Sequence, residues 1–306
     1  MIGGRSLTSG IDALSDALHG RLQKQEMLGL VASSVSARGV LSFLLPTSAL
    51  LLGADSAMAS YLLPLASLIP LLFIDIPSLR NLPESTKLAM QVPSRDTLLP
   101  LLKSALPLGL SVMFLSLTLH IPRIVLAKEM GSEALGKLGA LLQLVAAGGL
   151  VVSAGLQAAG PRMAKLYESR SLSKFLALTR RLHVGVIIIT LGGFAISMLA
   201  GRKIVTLLFG ESYSDASHLL PVLSFAGGFS FSGSVTGTAL TAARLHQIQL
   251  PLAILTTILS YASSVLMIRF LGISGAAWSL AITYALKVSI GQFVLSRHLG
   301  RSATRS

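Results

Sequence analysis

One lysine, Lys287, interrupts the apolar stretch SLAITYALKVSIGQFVL at residues 279–295. Ser279, Thr283 and Gly291 lie on the same helical row at spacings of four residues, so this side of the helix is small or polar. A lysine at mid-bilayer costs roughly 2.5–3.5 kcal/mol on insertion scales and usually marks a pathway or a charge pair. No acidic residue lies one turn away. Either Lys287 lines a cavity that accepts anionic groups, or it snorkels or bonds to carbonyls of a neighbouring helix.

Arg38 repeats this pattern in the first apolar segment, because Ser34 and Ser42 lie on its helical row. A polar row favours a second cation that faces protein or substrate. Its position towards the inner end of the segment favours an arginine that snorkels to the headgroups. The sequence leaves both interpretations open.

Residues that would support catalysis or metal binding are not grouped in the sequence. The chain has no cysteine, which excludes disulfides and thiol chemistry, and its six histidines show no metal-ligand spacing. The acidic residues of the predicted outer loops are scattered, which gives no acid–base pair for an embedded glycan polymerase or ligase. The sequence therefore predicts a protein that is not an enzyme and has no metal or cofactor.

The composition is that of an integral membrane protein. Of the 306 residues, 52% are hydrophobic and 12% are charged, and the mean hydropathy is +0.74. The net charge of +13 comes without the clustered basic and aromatic residues of a nucleic-acid-binding surface, so we expect no nucleic-acid partner. A membrane protein accounts for the charge better, because its cytoplasmic loops are rich in lysine and arginine.

About 20 apolar residues are needed for one bilayer crossing. By this measure the sequence predicts an all-α, polytopic membrane helix bundle with about eight transmembrane helices. The predicted crossings are residues 29–52, 57–76, 104–126, 138–161, 182–200, 217–241, 249–271 and 273–296.

The distribution of basic residues predicts the orientation. An even number of crossings puts both termini on one side, and that side then carries seventeen lysines and arginines against six on the other. Basic residues concentrate in cytoplasmic loops. We therefore expect a multi-pass protein with both termini in the cytoplasm.

The crossings divide into a group of two and a group of six. Residues 77–103 form the longest polar interval and contain four prolines, which marks a boundary between two lobes. We predict a partial N-terminal lobe at residues 28–95, made of two crossings and this loop, and a six-helix lobe at residues 96–306.

The first 27 residues have no continuous apolar core and are not a signal peptide. Their apolar residues recur every three or four positions, which predicts a cytoplasmic amphipathic helix on the membrane surface or against a neighbour. The predicted apolar face consists of Leu7, Ile11, Leu14, Leu18 and Leu22.

Three longer stretches resemble a known family when they are taken in order. HIPRIVLAKEMGSEALGKLGALLQL is similar to a helix end with an arginine, a glycine-containing turn and the next helix start. LLFGESYSDASHLLPVLSFAGGF is similar to an outward loop that leads into a helix, and FLGISGAAWSL is similar to the turn of a penultimate helix pair. Over about residues 10–300, the chain resembles polysaccharide flippases of the multidrug, oligosaccharidyl-lipid and polysaccharide (MOP) exporter superfamily.

The resemblance implies a fold and a function. Such proteins are similar in having two six-helix bundles around a central cavity, so this chain would hold one complete bundle and the last two helices of the other. It would flip a polyprenyl-pyrophosphate-linked oligosaccharide across the bacterial inner membrane by alternating access, for cell-surface polysaccharide such as O-antigen. Its expected partners are membrane lipid, this glycan substrate and a companion chain that supplies the missing N-terminal helices.

Two other functions stay open at this stage. A drug or metabolite exporter of the same superfamily would favour an acidic cavity for cations, whereas the predicted crossings hold two cations and almost no acids. A fragment that lacks the first helices could instead act as an inactive structural partner of another membrane protein.

The resemblance also implies candidate substrate-binding residues. Lys287 would contact the phosphates, Arg38 would have a role in substrate binding, and Gln143 and Gln157 would hydrogen-bond a sugar or, more commonly, another helix. Arg123 occupies a position where similar flippases commonly carry an arginine, although Pro122 replaces the acidic residue often found before it. The alternative for Arg123 is an interfacial anchor.

Overall fold

The structure is a computed structural model that describes residues 2–24, 27–78 and 95–303. Every regular element in those residues is a helix, which confirms the predicted all-α membrane bundle. The chain divides into two compact units, residues 1–94 and residues 95–306, and each is considered by itself. Residues 79–94 of the predicted inter-lobe loop lie outside the described residues.

The first unit contains two long helices and a broken third rod. The rod covers the predicted crossing at 57–76, and its breaks fall beside Pro64, Pro70 and Pro77. Proline removes a backbone donor and clashes with the carbonyl four residues earlier, so the helix between Pro70 and Pro77 widens into a π turn. The elements are α1 (Ile2–Lys24), α2 (Leu28–Leu51), α3 (Ser56–Tyr61), α4 (Leu63–Pro70), the π turn Leu71–Asp75 and α5 (Ile76–Ser78).

A buried carboxylate decides which face of α1 packs inward. Asp75 is fully buried, accepts a hydrogen bond from Ser15 Oγ, and lies 3.0 Å from His19 Nε2. A buried charge requires such partners, and this requirement outweighs the burial of leucine. Of the predicted apolar face, Leu22 is fully buried but Leu14 is 62% exposed. The contact between α1 and Asp75 joins residues 60 positions apart, so the periodicity of α1 alone does not predict it.

The second unit begins with a helix too long for one crossing. It has 74 residues, or about 110 Å at 1.5 Å per residue, against a hydrocarbon core of about 30 Å. It breaks at Gly131, whose φ of 82° and ψ of −175° fall in a region that only glycine adopts readily. The elements are α6 (Arg95–Glu168), α7 (Leu172–Phe209), a 3-10 helix (Glu211–Leu219), α8 (Leu220–Ala242), α9 (His246–Leu271) and α10 (Ile273–Ala303).

Seven helical stretches among the described residues are long and apolar enough to cross a membrane. One of them, Gly109–Glu168, is 60 residues long and accounts for two crossings because it breaks at Gly131. The helices thus hold all eight predicted crossings. Their outer faces suit lipid: on α7, for example, Ile188 and Leu199 are 65% and 87% exposed.

Helix α8 packs against α6, α7, α9 and α10 and carries much of the buried surface of the second unit. Gly227 and Gly228 permit this packing, because a Cβ on the first would overlap Val145 of α6 and a Cβ on the second would overlap Thr190 of α7. Small residues let membrane helices approach closely where lipid supplies no hydrophobic driving force.

Hydroxyl groups join α6, α9 and α10. Thr118 and Thr257 bond to each other at 3.0 Å, and Ser263 bonds to Thr283 at 3.2 Å. Ser279 lies 3.3 Å from the donor Oγ of Ser264. The row that carries Lys287 on α10 therefore faces protein, as its small and polar residues predicted.

Candidate functional site

Lys287 lies in the middle of α10 on its protein-facing side. Ser279 and Thr283, on the same row, are 0% and 1% exposed. The aliphatic part of the lysine passes over Gly233 of α8, where a Cβ would lie 3.8 Å from Lys287 Cε. The absent side chain at Gly233 leaves room for the lysine between the two helices.

The lysine lines a pocket of about 160 Å³ formed by α6, α8, α9 and α10. Its polar lining side chains besides the lysine are Ser234, Thr236 and Gln249. A water molecule takes about 30 Å³ in the liquid, so the pocket has the size of a few waters or one phosphate group. Glycines account for much of this space, since Gly233, Gly237 and Gly291 all line the pocket.

Lys287 has no hydrogen-bond or ion-pair partner within the part of the chain that the structure describes. Lys287 is half-buried, and a lysine charge without a partner is costly within a bilayer. The ammonium group retains three N–H donors. The pocket can therefore attract and hold a small anionic group.

A second polar group lies beside this pocket on α7. His183 Nδ1 is 2.9 Å from the carbonyl oxygen of Thr179, which only accepts, so the ring proton is on Nδ1. Its Nε2 then accepts from the amide of Gln292 at 3.1 Å, and the pocket residue Thr236 lies 3.5 Å away. We did not predict His183, Gln249 or Gln292 as site residues, because they lie on three separate helices and share no local spacing.

The other candidates in the second unit lie outside the Lys287 pocket. Arg123 is half-buried on α6, and its Nε has no hydrogen-bond partner among the described residues. Gln143 and Gln157 are exposed on the later part of α6. The structure does not group these three with the lysine, and their substrate contacts stay predictions.

Arg38 lies in the first unit and has a partner that the sequence analysis did not identify. Its Nη1 forms an ion pair with Asp12 Oδ1 of α1 at 3.1 Å. Arg38 and Asp12 line a pocket of about 340 Å³ between α1, α2 and α4.

Acidic residues predicted in the outer loops take part in ion pairs. Lys137 lies 2.8 Å from Asp215 and 3.0 Å from Glu133, and Arg202 lies 3.4 Å from Glu211. In residues 2–24, 27–78 and 95–303, no three histidine or acidic side chains come together as a metal site would require.

Comparison with known proteins gives one sequence relative and several structural ones. No family model matches the chain. It is 30% identical over 189 residues to a capsular polysaccharide biosynthesis protein, CapF, of Staphylococcus aureus. The match covers 62% of this chain and 46% of that protein, so the chain spans about half the length of this curated relative.

The structural relatives are transporters. An inward-facing multidrug resistance MATE transporter of the MOP superfamily matches with a TM-score of 0.79 and 18% identity, covering 98% of this chain and 70% of that one. An outward-facing form matches with a TM-score of 0.77 and 17% identity, covering 96% and 67%. The predicted resemblance to the superfamily is thus confirmed in the fold, and the chain is built on the transporter fold of the MOP superfamily.

Proposed function

We propose that this protein is a membrane transporter that flips a lipid-linked oligosaccharide on a polyprenyl pyrophosphate carrier for cell-surface polysaccharide. The pocket around Lys287 binds the anionic headgroup, and the polyprenyl tail stays in the bilayer. No bond is made or broken, so the chain supplies binding groups and a change of access rather than catalysis.

The unpaired charge of Lys287 is the observation that carries this proposal. The ion-paired residues elsewhere, such as Arg38 with Asp12 and Lys137 with Asp215, already have opposite charges beside them. Lys287 has none among the described residues, and a phosphate group would supply it. The lining glycines bring the phosphate close to the backbone of α8 and α10.

The relatives support an anionic glycan carrier over an organic cation. The CapF relative is named for capsular polysaccharide biosynthesis. A MOP-superfamily transporter from Pyrococcus furiosus, matched with a TM-score of 0.75 and 16% identity, is described as having a binding pocket of reverse polarity that suggests a different function. The pocket of this chain carries a lysine, which suits an anionic substrate.

Two acidic residues of the first unit already have partners. Asp75 is enclosed by Ser15 and His19, and Asp12 pairs with Arg38, so neither is a free carboxylate of the kind that a cation exporter would need. This arrangement favours an anionic substrate.

Binding to the purified chain in lipid nanodiscs tests the proposal. We expect undecaprenyl pyrophosphate to bind and the organic cation tetraphenylphosphonium not to bind. Lys287→Ala should weaken binding of the pyrophosphate lipid about 10-fold or more, because a hydrogen bond to a charged group contributes about 1.5–3 kcal/mol. Lys203→Ala, at an exposed lysine of α7, is the matched control and should bind like the wild type.

Two results would contradict the proposal. Binding of the cation without binding of the pyrophosphate lipid would favour the exporter function. Binding of neither probe to a folded chain would favour a structural role in the membrane.

A further inference from the structure

One end of helix α7 carries two adjacent arginines, Arg180 and Arg181. The helix contains lysines and arginines at both ends but no aspartate or glutamate. Both side chains are exposed, and neither forms an ion pair within residues 2–24, 27–78 and 95–303. At the other end of the helix, Arg202 lies 3.4 Å from Glu211. The positive charges of Arg180 and Arg181 are therefore available to a ligand.

The two arginines line a shallow recess on the surface of α7. Its volume is about 350 Å³, and its other lining residues are Ala177 and Val184. Ala177, Arg181 and Val184 follow one another at spacings of four and three residues, so they lie on one face of the helix. A guanidinium group can bind two oxygen atoms of a phosphate at once. The recess thus presents donors for a phosphate directly beside aliphatic side chains.

An apolar strip continues from this recess along the same face of α7. Val184, Ile188 and Leu191 are 47%, 65% and 54% exposed, and they again follow one another at spacings of four and three residues. Leu191 lies ten positions after Arg181, which is about 15 Å at 1.5 Å per residue. The hydrocarbon core is about 30 Å thick, so one leaflet supplies about half of that length. The strip therefore matches one lipid chain in one leaflet, with the arginines at its end.

The charges indicate which lipid fits. Phosphatidylcholine and phosphatidylethanolamine carry an ammonium group beside their phosphate, and two adjacent arginines repel this group. An anionic phospholipid such as phosphatidylglycerol has the phosphate without that positive charge. The predicted orientation puts this end of α7 on the cytoplasmic side, where anionic lipids give the membrane surface a negative potential. Charge complementarity thus favours an anionic phospholipid.

We propose that Arg180, Arg181 and the apolar strip at residues 184–191 form a binding site for an anionic phospholipid of the bilayer. The arginines bind its phosphate, and one acyl chain lies along α7. The recess shares no lining residue with the pocket of Lys287. This lipid site goes beyond the function proposed above, because it does not depend on what the protein transports.

Native mass spectrometry of the 306-residue chain in detergent tests the site. Titration with phosphatidylglycerol and with phosphatidylcholine gives the affinity of the first bound lipid of each kind. We expect phosphatidylglycerol to bind about 10-fold more tightly, because each basic residue near the surface attracts anionic lipid. The double variant Arg180→Gln, Arg181→Gln should abolish this preference. The double variant Arg202→Gln, Lys203→Gln is the matched control, since it removes two adjacent charges from the other end of the same helix, and it should keep the preference.

A second measurement separates a lipid site from a site for free anions. Inorganic phosphate carries the charge but has no acyl chain to contact the apolar strip. We therefore expect inorganic phosphate not to displace phosphatidylglycerol from the wild type. Displacement by inorganic phosphate would overturn the lipid assignment.

Three other results would overturn the proposal. Equal affinity of the wild type for the two phospholipids would remove the anionic preference itself. Loss of the preference in the control variant as well would show a general attraction by charge instead of a site at Arg180 and Arg181. Undecaprenyl pyrophosphate should bind equally to the wild type and to the variant without these arginines. Weaker binding of that lipid by the variant would assign the arginines to the carrier instead of a phospholipid.

Discussion

The two cations Lys287 and Arg38 look alike in the sequence and differ in the structure. Each lies on a helical row of small or polar residues within an apolar segment. Lys287 lies in a small pocket without an opposite charge among the described residues, whereas Arg38 pairs with Asp12 at 3.1 Å. A helical row of small or polar residues therefore predicts that a cation faces protein, but it does not predict whether an acidic side chain lies beside that cation. The presence or absence of this acidic side chain decides what the cation can bind.

Removing the partner of Arg38 is expected to have the largest effect. Asp12→Ala should lower the free energy of unfolding of the first unit by about 3 kcal/mol, because it leaves a partly buried charge uncompensated. Thermal unfolding of the detergent-purified chain measures this loss. Asp16→Ala, at an exposed carboxylate on the same helix, should change little. A double variant with Arg38→Met should regain most of the stability, and failure to do so would contradict the ion-pair explanation.

Placing a carboxylate beside Lys287 should make the charge of its pocket neutral, as Asp12 does for the pocket of Arg38. Gln249→Glu places a carboxylate in the same lining and reduces the pocket charge from positive to neutral. We expect undecaprenyl pyrophosphate to bind about 10-fold more weakly although the lysine is still present, since its charge is then paired. Gln247→Glu, exposed on the same helix, should bind normally. Normal binding by Gln249→Glu would show that the lysine charge is not the determinant.

Removing the charge of Lys287 should not destabilise the protein. Lys287→Met keeps the aliphatic contact over Gly233 and removes an unpaired ammonium, so stability should stay equal or rise by about 1 kcal/mol. Thermal unfolding measures the change. Lys203→Met serves as the exposed control. A marked loss of stability would indicate that Lys287 has a structural partner instead of a binding role.

The smallest expected effect is the loss of stability when a hydroxyl group is removed from the helical row of Lys287. Thr283→Val removes the bond of 3.2 Å to Ser263 between α9 and α10. Hydrogen bonds between membrane helices contribute about 0.6 kcal/mol on average, so we expect a loss near that value and unchanged lipid binding. Ser289→Ala, which removes only a bond within α10, is the control. Weaker lipid binding by Thr283→Val would show that the row takes part in the site directly.

The sequence predicts the membrane helices well because a crossing is a local property. Each of the eight predicted crossings depends on about 20 consecutive apolar residues, and each lies on an observed helix. The helical row of Lys287 is also local, and its neighbours Ser279 and Thr283 are buried as that row indicated. Even the break within α6 has a local cause in Gly131.

Contacts between distant segments could not be predicted in this way. The inward face of α1 follows from Asp75, and the partner of Arg38 is Asp12 on another helix. The pocket of Lys287 needs Gln249 from α9 and two glycines, Gly233 and Gly237, from α8. Such sites depend on which helices pack together and in what orientation. The spacing of residues within one segment does not predict that packing.

The most direct test of the central claim observes the phosphates themselves. In nanodiscs, the phosphorus NMR signal of undecaprenyl pyrophosphate should shift or broaden on binding to the wild type and to Lys287→Arg, and should match the free lipid with Lys287→Met. That result would establish that the cation at this position holds the anionic headgroup. An unchanged bound signal with folded Lys287→Met would contradict the account, because the headgroup would then bind elsewhere.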